Sequence, residues 1–544
     1  MSEKVIRLSD FRPFADGKNN DYEALKRCFL QANGVDDCVI VIEPGKYLID
    51  SEVSIPLASK LSVFATGAEF IFPKFLGNGV HRSMFAGTNV SDLYWFGGSF
   101  RGYVYDPLAS LSAWEPHACT KGIDLLRTPE GESQNIRFEN VRGKDLGGSV
   151  ITVYGTFDEN TEIRYPVKNV DVKSCSFDNC GKFMWDYGYL WQRITFPEHH
   201  STEEISNAYK YMPPELISGE VSFSEHGEIC VESMPAPIEN ESDTVCFFGD
   251  VPPELLRGCC YYIKSCCVRG GLTYLTISLT KGGDAISHFT RTGGACRLFR
   301  NLFTVHHNLY APNGCGTGKG PMDLSVCDAV KVSDCRMSAS GDSMHIHRSH
   351  NVVFTGNQIT GSRMGAFFIA QFCKNVTVSS NTVLGTNGSR VMSVEKSTED
   401  ITIIGNTFMG GGRGTWINQP YNIIISDNIF CKNTNKCTPS PKVGRLTPNS
   451  GKYEYYPEIY FTTWEKDAPY GAVIMRSNII TTTPYCSAAV AFHNGGHDII
   501  FESNVLMGDK RDIFVGKKCE MPHMSGNIGV GRLIDELNEE KFDQ

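Results

Sequence analysis

The sequence has no run approaching the ~18 uncharged apolar residues of a membrane-spanning helix, and its start, MSEKVIRLSDFRPFADG, lacks the apolar core of a secretory signal. Together these absences predict a cytoplasmic chain with no membrane partner. Basic residues are in deficit, 51 Lys and Arg against 61 Asp and Glu for a net charge of -10, so nucleic acid is not expected as a partner. Charged residues make up only 21% against 41% hydrophobic, too few for a disordered chain. Cysteine, by contrast, is plentiful at 20, but a 544-residue chain can bury a large core without disulfide staples. Many cysteines stand at strand positions, as in KSCSF and VSDCRM, where a reduced thiol acts as a small apolar filler. The vicinal pairs Cys259-Cys260 and Cys266-Cys267 have no histidine nearby in sequence and are read as packing. Neither a metal nor an organic cofactor is expected.

Length alone, at about 150 residues per domain, suggests three or four domains. An internal repeat argues otherwise. A heptapeptide that opens on Asn or Asp, runs through apolar or β-branched residues and closes on Asn recurs as NVVFTGN from Asn351, NVTVSSN from Asn375, DITIIGN from Asp400, NIIISDN from Asn422 and DIIFESN from Asp498. Weaker copies begin at Asn135, Asn169, Ala329 and Ala472. The closing positions Cys335, Asn357, Asn381, Asn406 and Asn428 are 22, 24, 25 and 22 residues apart, and the 50 from Asn428 to Asn478 reads as two periods. Such a unit is too short for a βαβ crossover and lacks a leucine frame. It predicts an all-β, right-handed parallel β-helix in which the closing asparagines stack about 4.8 Å apart and hydrogen-bond to one another. Their role is therefore structural.

Near the N-terminus, DFRPFADGKNNDYEALKRCFLQA and VIVIEPGKYLI read as an amphipathic helix over Tyr22 to Ala32, N-capped by Asp21, and then a strand and a Pro-Gly-x-Tyr turn. The helix would cover the open end of the solenoid. With these features and the repeated coils, the chain resembles the pectin-lyase-like superfamily, which implies a β-helix and an activity on carbohydrate, of hydrolase, lyase, epimerase or tailspike type. The resemblance covers residues 8–60 and the coils between 88 and 530. The period breaks from about Tyr189 to Asn301. The expected organisation is a cap and first coils over 1–60, coils over 61–217, an inserted small β-rich, barrel-like domain over 218–298, coils carrying the active face over 299–530, and a short helix or tail over 531–544.

A second strand follows each closing residue, and its alternation tells which side chains leave the barrel. GDSMHIHR turns His345 and His347 outward, MGAFFIAQ Phe368 and Ala370, RVMSVEKS Ser393 and Glu395, and RGTWINQ Trp416 and Asn418; the preceding MDLSVCD turns out Asp323 and Ser325. His347 and Glu395 would lie about 10 Å apart across the small Ala370, room for a sugar ring. Asp342, Arg363, Arg390 and Arg413 begin these strands, Arg348 and Lys396 follow them, and Asp186 and Trp191 of WDYGYLWQR would wall the same groove. Histidine, tryptophan, arginine and glutamate gathered in successive coils point to a functional cleft rather than a plain solvated face.

Hydrolysis of a glycosidic bond needs two carboxyls, and Asp342 with Glu395 form the first choice, Asp323 and Asp186 standing in reserve. Elimination from a uronic acid needs a base and a cation, which His345, His347, Lys396, Arg390 and Arg413 could supply. The stretch SVEKSTEDITIIGNTF resembles a coil of the alginate-lyase and chondroitinase-B-like lyases, but Glu395 stands where those carry a catalytic lysine. Gly388 and Arg390 replace their calcium carboxylates, and Asn418-Gln419-Pro420 their Arg-His-Gly. The GDD and GHG of polygalacturonases are also missing, Gly341 beginning only GDS. The reading is therefore an enzyme that cleaves an oligo- or polysaccharide, a carboxylate-pair hydrolase first and a lyase second. The alternative from another class is a non-catalytic, tailspike-like or adhesin-like binding solenoid. Homo-oligomerisation, as a trimer, is compatible with the fold.

Overall fold

A computed structural model describes residues 4–73, 82–103, 120–181, 216–217, 221–232, 244–255, 260–278, 283–290, 296–300, 320–339, 342–362, 365–385, 390–434, 456–463 and 468–535. Among them the coils stack into three parallel sheets of 14, 13 and 13 strands, a right-handed parallel β-helix. The apolar residues of the heptapeptide fill its interior, as Val352 and Phe354, Val376 and Val378, Ile401 and Ile403, and Ile423 and Ile425 do in successive coils.

Each end of the heptapeptide has its own physical reason. The opening residues Asn351, Asn375, Asp400 and Asn422 all take a left-handed backbone, with φ between 54° and 57°, which Asn and Asp tolerate best after glycine. The closing residues form a buried ladder. Asn381 donates from its backbone N and its Nδ2 to Asn406 Oδ1, both at 2.9 Å, and Asn406 donates likewise to Asn428 Oδ1. Asn428 continues directly to Asn478 at 3.1 and 3.0 Å, so that 50-residue interval is one coil with a long excursion and not two periods. Cys175 and Cys335 hold the equivalent places further up. Their thiols donate to Lys173 O and Ser333 O at 3.3 Å each, standing in for the amides.

The helix α1, Tyr22–Ala32, buries Leu25, Cys28 and Phe29 against the first coils, Phe29 lying 5.1 Å from Phe85 between ring centroids. Asp21 does not cap it. Its carboxylate turns back to accept the backbone N–H groups of Phe14 at 2.6 Å and Ala15 at 3.2 Å.

The solenoid is continuous across the break in period, since Val167–Lys173 pairs directly with Cys327–Ser333. Between these strands a seven-stranded antiparallel sheet, from Leu216–Ile217 to Cys296–Arg300, has its own core around Ile229, Phe247, Tyr261, Leu275 and Leu298. Among the described residues its strands pair in one order from Leu216–Ile217 at one edge to Val221–Phe223 at the other. Leu533–Asp535, expected in a helix or tail, is a strand pairing with Ile513–Val515. No helix among the described residues is long and apolar enough to cross a membrane.

Candidate active site

The third sheet carries the candidate residues on strands β1 (Thr120–Leu126), β2 (Ile151–Tyr154), β3 (Met322–Ser325), β4 (Asp342–His347), β5 (Gly365–Ile369), β6 (Arg390–Val394), β7 (Thr415–Asn418) and β8 (Ile459–Thr462). Their registers align one outward column as Asp124, Thr152, Asp323, His345, Phe368, Ser393, Trp416 and Tyr460. The neighbouring column includes Tyr154, Ser325 and His347.

Asp323 is the centre of the arrangement. It is fully buried although it leaves the barrel, and it accepts the Tyr154 hydroxyl on Oδ2 at 2.6 Å and His345 Nδ1–H on Oδ1 at 2.7 Å. A carboxylate so engaged fixes the histidine tautomer and leaves the imidazole Nε2 as its working nitrogen. The His345 ring rests on Phe368, centroids 5.2 Å apart. Ser325 Oγ lies 3.2 Å from His347 Nδ1 in the next column. On the other side, Lys121 Nζ pairs with Asp124 Oδ2 at 2.8 Å, and its ammonium lies 5.8 Å from the centre of the Tyr154 ring. Thr152, between Asp124 and Asp323, has a buried hydroxyl without a hydrogen-bond partner among the described residues.

Further along the face, Arg390 donates to Tyr460 Oη at 3.1 Å and lies 4.5 Å from the Trp416 ring centre. Arg413, 1% exposed, donates to Tyr456 Oη at 3.0 Å. Trp416, Tyr456 and Tyr460 make a buried cluster separate from the barrel core. Both arginines thus lean on aromatic side chains of this face. Glu395, at 8% exposure, and Asn418 are buried as well, and Lys396 is half-buried. Arg348 is off the face. It sits in the turn after β4, between the Phe157 and Phe372 rings at 3.9 and 4.6 Å, and pairs with Glu159 at 3.2 Å. Asp342 pairs by its backbone with Gly365, but its side chain lies outside the described residues, as do Arg363, Asp186 and Trp191. Among the described residues, no three His, Cys, Asp or Glu side chains converge as metal ligands would.

Sequence reasoning left Asp323 in reserve and missed Tyr154, Lys121 and Asp124. The signal was available. The alternation that turns out His345 also turns out Thr152 and Tyr154 in ITVYG, and β2 and β3 are in register. Their separation by the insertion hid that they are neighbours.

Residues 294–456, less than a third of the chain, match the family described as periplasmic copper-binding protein (NosD). No curated protein sequence matches the chain. Among solved structures, the A-module of the Azotobacter vinelandii mannuronan C-5 epimerase AlgE6 is similar at TM-score 0.46 and 9% identity, over 96% of this chain and 98% of that one. The Streptococcus pneumoniae surface adhesin PfbA is similar at TM-score 0.45 and 11% identity, over 96% and 100%. A polygalacturonase from Erwinia carotovora ssp. carotovora is similar at TM-score 0.40 and 7% identity, over 98% of each chain. The three stacked parallel sheets are the right-handed parallel β-helix that the sequence predicts.

Proposed function

We propose that the chain is a carbohydrate-active enzyme that cleaves a polysaccharide laid across the third sheet, with His345 moving the proton. The observation that carries this reading is the Tyr154–Asp323–His345 relay, whose buried carboxylate is occupied on both oxygens. A carboxylate held in this way orients its neighbours and is a poor proton donor itself, which favours imidazole chemistry over a carboxylate pair. The reaction that suits these groups is elimination from a uronic acid. His345 Nε2 takes the proton from C5, that electron pair forms the C4–C5 double bond, and the C4–O bond breaks as the leaving oxygen takes a proton from water. Lys121, beside Tyr154 and paired with Asp124, is a cation of this face that would offset charge on the sugar carboxylate.

Hydrolysis is the second reading. Asp124 and Asp323 share one outward column with only Thr152 between them, two coil steps or about 10 Å along the backbone, compatible with a water-activating pair. A panel of uronic-acid and neutral polysaccharides separates the two. Absorbance near 235 nm marks the unsaturated product of elimination; new reducing ends without it mark hydrolysis. Binding with neither product would leave a binding solenoid and end the enzymatic reading.

A further inference from the structure

The three coils that carry Tyr154, Asp323 and His345 are tied together a second time, at the turn beyond the sheet. Gly155 follows Tyr154 and leads into a short antiparallel hairpin, Thr156–Asp158 with Ile163–Tyr165. Arg164 of this hairpin donates from Nη2 to Cys327 O at 3.2 Å, in the coil of Asp323, and to Arg348 O at 2.8 Å, in the coil of His345. Its Nη1 meets His350 Nδ1 at 2.7 Å. A guanidinium can only donate, so Nδ1 here accepts and the imidazole is neutral. Phe157 lies under the Arg348 guanidinium and Glu159 pairs with it, so the rest of the hairpin closes on the same turn.

We propose that Arg164 and His350 form an acid-sensitive latch that clamps the hairpin and the three coils bearing the relay. Protonation of His350 places an imidazolium against a half-buried guanidinium whose Nε is buried without a hydrogen-bond partner among the described residues. The groups facing His350 are Arg164 from the hairpin, Asp328 from the preceding coil, and Lys374 from the following coil, with Glu399 beyond it. Asp328 also accepts Asn351 Nδ2 at 2.7 Å, and Lys374 pairs with Glu399 at 2.8 Å, so the two carboxylates have other partners. Burial, then the Arg164 charge, holds the His350 pKa below its ordinary 6.5. The sign follows: a depressed histidine stabilises the closed form above pH 6.5, and this stabilisation is lost as pH falls through the lower, folded value. Only the consequence for catalysis rests on the proposed function; the latch itself does not.

The test is amide hydrogen exchange of residues 156–165 in the full chain at pH 7.5 and pH 5.0, expressed as protection factors corrected for intrinsic rates. We expect protection in the parent to fall at least ~10-fold at the lower pH, the equivalent of 1.4 kcal/mol, and His350→Gln, which keeps an acceptor but cannot titrate, to hold its protection. Unchanged protection in the parent, or the same fall in His350→Gln, would overturn the latch. If His350→Gln does not fold, Arg164→Gln serves: the His350 titration followed by NMR should shift toward 6.5, and an unmoved titration would equally overturn it. Because the readout is hairpin protection, the latch can stand or fall whether or not a substrate is cleaved.

Discussion

Asp323 and His345 face outward from neighbouring coils of one sheet, paired in register, with Oδ1 and Nδ1 2.7 Å apart. A buried carboxylate with Tyr154 on its other oxygen cannot rotate away, so the imidazole is held in one tautomer and one orientation.

Asp323→Asn keeps the shape of this pair and removes its charge. Turnover on a cleaved substrate should fall at least ~100-fold, as should that of His345→Gln, with the circular dichroism of the β-helix preserved. Activity within a few-fold of the parent in both variants would remove the relay from the mechanism.

Glu395→Gln separates the relay from a carboxylate pair built on Glu395 and Asp342. The expected result is a change of less than ~10-fold, far smaller than for Asp323→Asn. A loss of ~100-fold or more in Glu395→Gln, measured on the same substrate, would return the chemistry to that pair.

The ladder makes a claim about stability alone. Asn406 donates from Nδ2 to Val378 O and Asn428 Oδ1 and accepts two N–H groups of Asn381, all of them buried. Asn406→Ala leaves several of these groups unsatisfied and should cost about 2–5 kcal/mol in urea unfolding, while Asn422→Gly, at an exposed position whose left-handed backbone glycine accepts, should cost under about 1. Equal costs would mean that the ladder contributes no more than a surface turn.

Glu458 provides a pH signature. It is fully buried, and burial pushes its pKa up to about 8 even though Asn433 N donates to both oxygens, at 2.8 and 3.0 Å. Since the folded value lies above the unfolded 4.5, its contribution is fully present below pH 4.5 and is lost as pH rises through about 8. Glu458→Gln should therefore match the parent's melting temperature near pH 5 and exceed it by several degrees at pH 8.5. A constant difference across this range would contradict the assignment.

The periodicity was legible because it is a local requirement repeated many times. Every coil needs a residue tolerant of left-handed backbone where Asn351 or Asp400 stands, alternating apolar residues to fill the barrel, and a side chain that both donates and accepts where Asn381 or Asn406 stands. The alternation also sufficed to put His345, Phe368, Ser393 and Trp416 in one column, since a parallel sheet keeps its register from coil to coil.

What the sequence alone determined is therefore the β-helix, the helix over its first coils and the direction in which most strand residues face. Tertiary structure decided the rest, because coil adjacency is spatial. Tyr154 and Asp323 are 169 residues apart along the chain and 2.6 Å apart in space, and no periodicity counts across the inserted sheet between them. Burial was equally invisible in a pattern that only distinguishes inside from outside: Asp323, Glu395 and Arg413 all lie outside the barrel core yet are shielded from water, and that shielding, with the partners each side chain finds there, sets their chemistry.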